Sequence, residues 1–302
     1  YLAHHQELPI RSNLDSSDAT LDTDTYALGL STPASATWQT ALAWRDTREH
    51  FGDPSSQVGL GAQDARSRTR HGLLRVSRTD AHMQTVFSAE HTDYRASDRI
   101  GQTPTSSAQR WLLGPAADWR SAPEPRSGVV FNAGLRAQWS RERADGRDAD
   151  EWQFEPALGL SRRLGGCLLA ANLGHRERLP TFFERYGDRG LFRGNPGLDP
   201  ESAVFADAGA RCLFDGALRS AELTVFGQDL RDVISPVYNA QGVGRSVNTE
   251  RARIVGVEWL GAARWAGLDW QLGGTWQHTE DRSTVRATRG QQLPGRFETQ
   301  LH

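Results

Sequence analysis

Few side chains in this 302-residue sequence are of a kind that does covalent or metal chemistry. Two cysteines, Cys167 and Cys212, and nine histidines are the whole thiol and imidazole inventory. Neither type falls at a spacing such chemistry demands. There is no Cys-x-x-Cys, no His-Glu-x-x-His, no Gly-x-Ser-x-Gly nucleophile elbow and no Gly-x-x-x-x-Gly-Lys phosphate loop. His4 and His5 are adjacent and in a strand would face opposite ways, which argues against a shared metal. His175 fits a polar residue near a rim. No enzyme, catalytic residue, metal or cofactor is therefore expected. What remains is recognition chemistry. Tyr94, Arg185, Tyr186, Phe192 and Tyr238 fall in polar connecting stretches, where ring faces and guanidinium groups can hold an anionic chelate. The plainer alternative is that they are ordinary solvated loop residues.

The elements that would carry these residues are strands. All ten tryptophans lie on the apolar side of a period-two pattern, and four same-strand pairs stand out: Trp38/Trp44, Trp111/Trp119, Trp259/Trp265 and Trp270/Trp276. Each separation is even, so both indoles of a pair share one face of a strand, roughly 20 to 27 Å apart. With the strands tilted, that becomes about 15 to 20 Å, which suits aromatic girdles bracketing the apolar belt of a membrane barrel. Between Val129 and Ser140 the odd positions are Val129, Phe131, Ala133, Leu135, Ala137 and Trp139, while the even ones are polar or small apart from Val130. Segments 151–161 and 268–279 alternate in the same way. Alternation alone also fits a sandwich or a propeller, whose oily faces turn to a shared core.

Connector lengths favour the membrane barrel. Strands are expected near 23–31, 36–46, 67–77, 81–92, 107–120, 127–141, 151–163, 167–176, 202–213, 218–229, 248–264, 268–280 and 296–302. The links alternate between tight Gly-, Pro- or Asp-bearing turns and long polar stretches at 47–66, 93–106, 142–150, 177–201, 230–247 and 281–295. Short turns on one rim and long loops on the other describe an outer-membrane barrel, and no repeating blade is present to support a propeller. The expected fold is thus all-β: an antiparallel transmembrane β-barrel with long extracellular loops and short periplasmic turns. Mean hydropathy is −0.59 and no apolar run approaches the length of a membrane helix. The formal net charge of −2, with Arg supplying all 35 basic residues, leaves no electrostatic footprint for nucleic acid.

Two strings are more specific. The first runs Arg178-Leu-Pro180-Thr-Phe-Phe-Glu184-Arg-Tyr-Gly187 and on through Gly194-Asn195-Pro196-Gly-Leu-Asp199-Pro200-Glu201. The second is Asn248-Thr-Glu-Arg-Ala-Arg-Ile-Val-Gly256-Val-Glu258. In content, order and spacing they resemble the barrel domain of the TonB-dependent outer-membrane receptors, with a fainter likeness to vitamin B12 and ferric-siderophore receptors. The prolines of the first string should end strand pairing and hold an ordered loop. Glu201, Asp207, Arg211 and Glu258 should face the lumen. Structural roles in register and folding are the favoured interpretation of these motif residues.

The resemblance implies a 22-stranded barrel in the outer membrane of a Gram-negative bacterium, closed by an N-terminal plug and driven by TonB in the periplasm. Against that, residues 1–302 hold about 13 or 14 strand segments. They are expected to be a partial barrel domain without plug, TonB box or closing strands. The implied function is active uptake of a scarce, bulky ligand such as a ferric siderophore or cobalamin. Outer-membrane lipid, the TonB complex and that ligand would be its partners, and the protein would be a monomer that binds no nucleic acid. A passive porin would show the same alternation and girdles, and a soluble β interaction domain is the third alternative.

The cysteines follow from the strand order. Strand 167–176 should leave the Gly165-Gly166 turn outward and strand 202–213 should return, placing Cys167 and Cys212 near the periplasmic end on the lipid face. They are expected to lie within cross-strand reach, either as two small apolar neighbours or as a disulfide, which the periplasm would permit.

Overall fold

The computed structural model describes residues 2–9, 15–33, 37–58, 61–100, 105–124, 128–144, 147–240, 242–282, 289–292 and 297–301. The strands are β1 (Leu2–Pro9), β2 (Asp15–Ser31), β3 (Trp38–Asp53), β4 (Gln63–Thr79), β5 (Met83–Asp98), β6 (Ser106–Arg120), β7 (Val129–Ala144), β8 (Arg147–Leu164) and β9 (Cys167–Arg178). After β9 come a one-turn helix α1 (Phe182–Tyr186) and two short strands, β10 (Asp188–Arg189) and β11 (Phe192–Arg193). The wall resumes with β12 (Glu201–Leu213), β13 (Leu218–Tyr238), β14 (Gly244–Trp265), β15 (Leu268–Asp281) and β16 (Thr299–Leu301). Each wall strand pairs antiparallel with the next, β9 passing directly to β12, while β10 and β11 form a hairpin of their own. Among the described residues fourteen strands therefore make one continuous wall of the sixteen-stranded sheet.

The two faces of that wall differ as lipid and water require. The outward set includes Leu28, Leu42, Phe87, Leu135, Phe154, Leu158, Leu173, Val225 and Leu272, all exposed in the isolated chain. So many exposed aliphatic side chains exceed what a water-soluble surface carries, and the hydrocarbon of a bilayer is what covers them. Nine of the ten tryptophans are exposed on this face, and Trp139 stands directly opposite Trp152. The inward face carries Asn132, Arg136 and Gln138 on β7, Asn172 on β9 and Asp207 on β12. Asn172 donates to Asp207 at 2.8 Å, so the polar face is hydrogen-bonded across the ladder. Buried apolar residues form two clusters, one of Tyr94, Ala108, Ala144 and Phe182, the other of Ala203, Leu230, Val233, Ala252 and Ile254.

The structure lengthens the strands and shortens the loops relative to the expectation. Residues 47–53 and 63–66 belong to β3 and β4, and residues 142–144 and 147–150 belong to β7 and β8. The expected loop at 230–247 shrinks to 239–243, because β13 and β14 pair up to Tyr238 and Gly244. Above the membrane both faces of a strand meet water, so the period-two signal vanishes although the hydrogen-bond ladder continues. Segment 2–9 pairs with β2, with His4 opposite Thr23 and His5 opposite Asp22. Residues 34 and 35 of the expected turn at 32–35, and residues 296 and 302 at the two ends of the expected strand at 296–302, lie outside the described residues.

At the periplasmic end of β9 and β12, Cys167 and Cys212 are direct register partners. Their Cα atoms are 4.0 Å apart and a disulfide joins them.

Because this face meets hydrocarbon, Leu135→Arg should destabilise the folded barrel by about 2–4 kcal/mol, while Asn132→Arg on the lumen side should cost far less. Urea unfolding in lipid vesicles would compare them, and equal losses would contradict the assignment of faces.

Candidate functional site

The expected loop between β9 and β12 does not stand out into solvent. It folds against the inner wall at the extracellular rim. Its local structure follows from its residues. Thr181 caps α1, accepting from the Glu184 backbone N–H, while the Glu184 carboxylate accepts from the Thr181 backbone N–H, a complete capping box. The helix ends at Gly187, where a Cβ would come 2.4 Å from the Phe183 carbonyl oxygen. Arg178 at the end of β9 clamps both loop ends, donating to Glu184 at 3.0 and 3.1 Å and to Glu201 at 2.7 Å. Burial alone would raise the Glu184 carboxyl. The Arg178 and Thr181 hydrogen bonds outweigh it and hold the group below the ordinary glutamate range.

The loop docks through a buried charge node. Glu142, on the inner face of β7, accepts from Arg110 Nε of β6 at 2.8 Å and from the Tyr186 hydroxyl at 2.7 Å, and lies 2.8 Å from Arg185 Nη1. Arg110 also donates to the Pro180 carbonyl at 2.8 Å and stacks its guanidinium on Phe182 at 4.8 Å. Arg185 donates in turn to the Leu198 carbonyl at 2.7 Å. Burial, then the bond to Glu142, pushes the Tyr186 phenol well above its ordinary range, so it is a fixed donor. Further along, Arg189 stacks on Phe183 at 4.7 Å and reaches Glu49 of β3 at 3.4 Å.

The hairpin tip spans the lumen. Gly190 N–H donates to Gln63 Oε1 of β4 at 2.8 Å, while the Leu191 carbonyl accepts from Gly244 N–H of β14 at 2.6 Å. β11 then runs parallel to β14, pairing Phe192 with Gly244 and Arg193 with Arg245. In a flat sheet β4 and β14 would lie eight inter-strand steps apart, roughly 38 Å. Two consecutive residues touch both, so the wall curls round on itself and the loop braces the curl.

The two sequence strings meet here. Asn248 donates to the Asp199 carbonyl at 3.0 Å and the Asp232 carbonyl at 2.7 Å, and its side-chain oxygen accepts from Asp199 N–H at 2.9 Å. Asn195 donates to the Ser246 carbonyl at 2.9 Å and accepts from Arg245 at 3.0 Å. Pro196 sits in the turn between them. Glu201 accepts from the Ile234 N–H at 2.5 Å as well as from Arg178. Gly256 leaves room for the Phe226 ring, whose Cζ would lie 2.5 Å from an added Cβ. Glu258 stands between Thr224 and Thr275 on the inner face.

The five ligand candidates fare differently as surface groups. Tyr94 is not in a loop: it lies inside β5, 3% exposed, with its ring 5.8 Å from Phe182. Arg185 and Tyr186 are committed to Glu142, and Phe192 stacks on Phe183 at 4.9 Å. Those four pack the loop to the wall. Tyr238, 63% exposed at the top of β13, is the one that presents an open ring. The residues that sequence inspection missed are Arg110, Glu142 and Gln63, single polar positions inside strands. Their one signal is that Arg110 and Glu142 have lumen-facing parity.

A curled antiparallel wall with an outward apolar belt, a polar lumen and a loop folded across its mouth defines an outer-membrane β-barrel of the receptor class. Residues 5–297 match the family model described as TonB dependent receptor-like, beta-barrel, and the chain belongs to that family. Its members are transporters, not enzymes. Transferrin-binding protein A of Neisseria meningitidis serogroup B (strain ATCC BAA-335 / MC58) is 31% identical over 135 residues, 41% of this chain and 14% of that protein. Among solved structures, the FrpB iron transporter from Neisseria meningitidis (F5-1 variant, apoprotein form) is similar with a TM-score of 0.68 at 14% identity, covering 95% of this chain and 49% of that one. The siderophore receptor PirA from Pseudomonas aeruginosa gives 0.55 at 12% identity, covering 93% and 63%. The chain thus spans about half the length of the solved transporter and a small part of the curated relative.

Two outcomes follow from the node and the clamp. Glu142→Leu leaves two buried guanidinium groups without a counter-charge, a loss of about 3–5 kcal/mol, and should open the loop so that trypsin cleaves after the buried Arg185. Unchanged resistance would mean that the loop is held elsewhere. The Glu184 contribution is fully present above the ordinary glutamate value of about 4.3 and is lost as pH falls through its lower folded value. The protection factors of the Thr181 and Glu184 amides, referred to the intrinsic exchange rate at each pH, should therefore fall only in acid and stay level near neutrality.

Proposed function

We propose that this chain is barrel sequence of an outer-membrane active transporter that takes up a scarce, bulky, iron-bearing chelate, with energy delivered by TonB. The observation that carries this is the braced loop across the barrel mouth, in a chain of the TonB-dependent receptor family. In a receptor of this family a structured loop laid over the lumen supplies a rigid shelf on which to seat a ligand. The iron transporter and siderophore receptor among the structural relatives support iron chelates over cobalamin as the ligand class. In this proposal the rest of the receptor supplies the plug and the segment that engages TonB, and lipid surrounds a monomeric barrel in a Gram-negative outer membrane. Tyr238 and the extended β13–β14 hairpin would contribute to capture from outside. The motif residues around Asn195 and Asn248 would hold the shelf without touching ligand.

Growth on ferric siderophores under iron limitation tests this. Deleting the gene should abolish use of at least one ferric chelate, and the full-length gene should restore it only in cells with intact TonB. Restoration without TonB would point to a passive porin. Tyr238→Ala should weaken chelate binding severalfold while leaving barrel assembly intact.

A further inference from the structure

The sulfur bridge lies where the chemistry that makes it is shut out once the wall is in lipid. Cys167 shares the outward face of β9 with Leu169 and Leu173, and Cys212 shares that of β12 with Val204, all three exposed in the isolated chain. The register neighbours on either side, Leu164 of β8 and Ala221 of β13, are apolar as well. A disulfide forms when a thiolate attacks the disulfide of an oxidant. Neither a charged thiolate nor a folded protein oxidant enters hydrocarbon. The oxidation therefore belongs to a state in which this face still meets water.

Two thiols at a sequence separation of 45 must also be brought together. The segment between them carries the means. β9 and β12 pair from Arg178 and Glu201 down to Cys167 and Cys212 without a register shift. Arg178 donates to both Glu184 and Glu201, Arg185 donates to the Leu198 carbonyl, and the Asn195 N–H donates to the Glu184 carbonyl at 2.8 Å. Phe183 stacks on Phe192. Every one of these partners lies between the two cysteines, so the segment can order itself without the rest of the wall.

We propose that residues 167–212 pair as a hairpin in the periplasm, are oxidised there by a periplasmic dithiol–disulfide oxidase, and enter the outer membrane as one pre-paired unit. One cysteine thiolate attacks the oxidase disulfide, giving a mixed disulfide and releasing one oxidase thiolate; the second cysteine thiolate then displaces the other. Two electrons pass to the oxidase, which leaves as the dithiol and carries the two thiol protons. The contacts of the loop with Arg110, Glu142 and Gln63 come afterwards and seat the finished unit in the wall. This order of events rests on the outer-membrane location proposed above.

The test is a pulse-chase of the full-length receptor in cells depleted of the outer-membrane insertion machinery. Thiols are alkylated in acid at each time, and the Cys167–Cys212 linkage is identified by mass spectrometry of unreduced peptides. The bridge should appear in chains that urea still extracts from the membrane fraction. Thiols that stay reduced until the chain resists urea would overturn the proposal. Register supplies a second arm. Cys212→Ala with Ala210→Cys moves one thiol two residues along the same face, to a diagonal position roughly 7–8 Å from Cys167, at or beyond the reach of a disulfide, about 7 Å between Cα atoms. That precursor should oxidise severalfold more slowly than the natural one. An equal rate would mean that an unpaired chain is being oxidised, and would overturn the pre-paired hairpin. In undepleted cells, a chain that never becomes urea-resistant would remove the outer-membrane location and this proposal with it. Ligand uptake enters none of these readouts, so a failure of the transport assignment is seen separately.

Discussion

Gly190 and Leu191 are neighbours in the chain, yet one is bonded to β4 and the other to β14. That pair of hydrogen bonds is the constraint on which the extracellular half depends. An antiparallel sheet sets the spacing between adjacent strands but leaves its overall curvature soft. A chord across the mouth removes that freedom. The chord must itself be stiff, and its stiffness comes from polar matching rather than from bulk apolar burial: one carboxylate faces two guanidinium groups and a phenol at Glu142, and one guanidinium faces two carboxylates at Arg178. Arg110, Glu142 and Arg185, the buried members of these sets, would each be costly alone away from water. Together they hold a loop in one position.

The same economy explains why two strings far apart in sequence belong together. Asn195 and Asn248 are amides, able to donate and accept at once, and each ties a loop carbonyl or amide to the opposite strand. Asn248 also takes the carbonyl of Asp232, a residue with φ of 54° at an irregularity in β13. No carboxylate or hydroxyl of that size offers both the two N–H donors and the accepting oxygen. The motifs are two halves of one contact.

Legibility in the sequence followed the solvent. Where strands meet hydrocarbon, alternation is nearly strict, and Val129 to Trp139 or Leu268 to Trp276 could be assigned to a face without a structure. Where the same strands rise above the membrane, as at residues 47–53 or 230–238, water lies on both sides and nothing in the residue types separates ladder from loop. The loop motif was visible, but its inward fold was not. Its partners Arg110, Glu142 and Gln63 sit beside other polar residues with nothing to single them out, and only three-dimensional curvature brings them to residues 180–190. For that reason Tyr94, Arg185, Tyr186 and Phe192 read as open loop residues, whereas in the structure their side chains pack the loop against the wall.

The disulfide has a topological meaning beyond the two strands it joins. Cys167 and Cys212 enclose, at a sequence separation of 45, the whole of β9, the helix, the hairpin and β12 up to its penultimate residue. The whole brace is therefore one covalent ring, fastened at the periplasmic end and presented at the other. A protease attacking from outside the cell could cut that ring once and convert it to a linear thread, yet the chain would remain a single molecule. Both flanks of the cut would stay tethered through the wall to the sulfur bridge on the far side of the membrane.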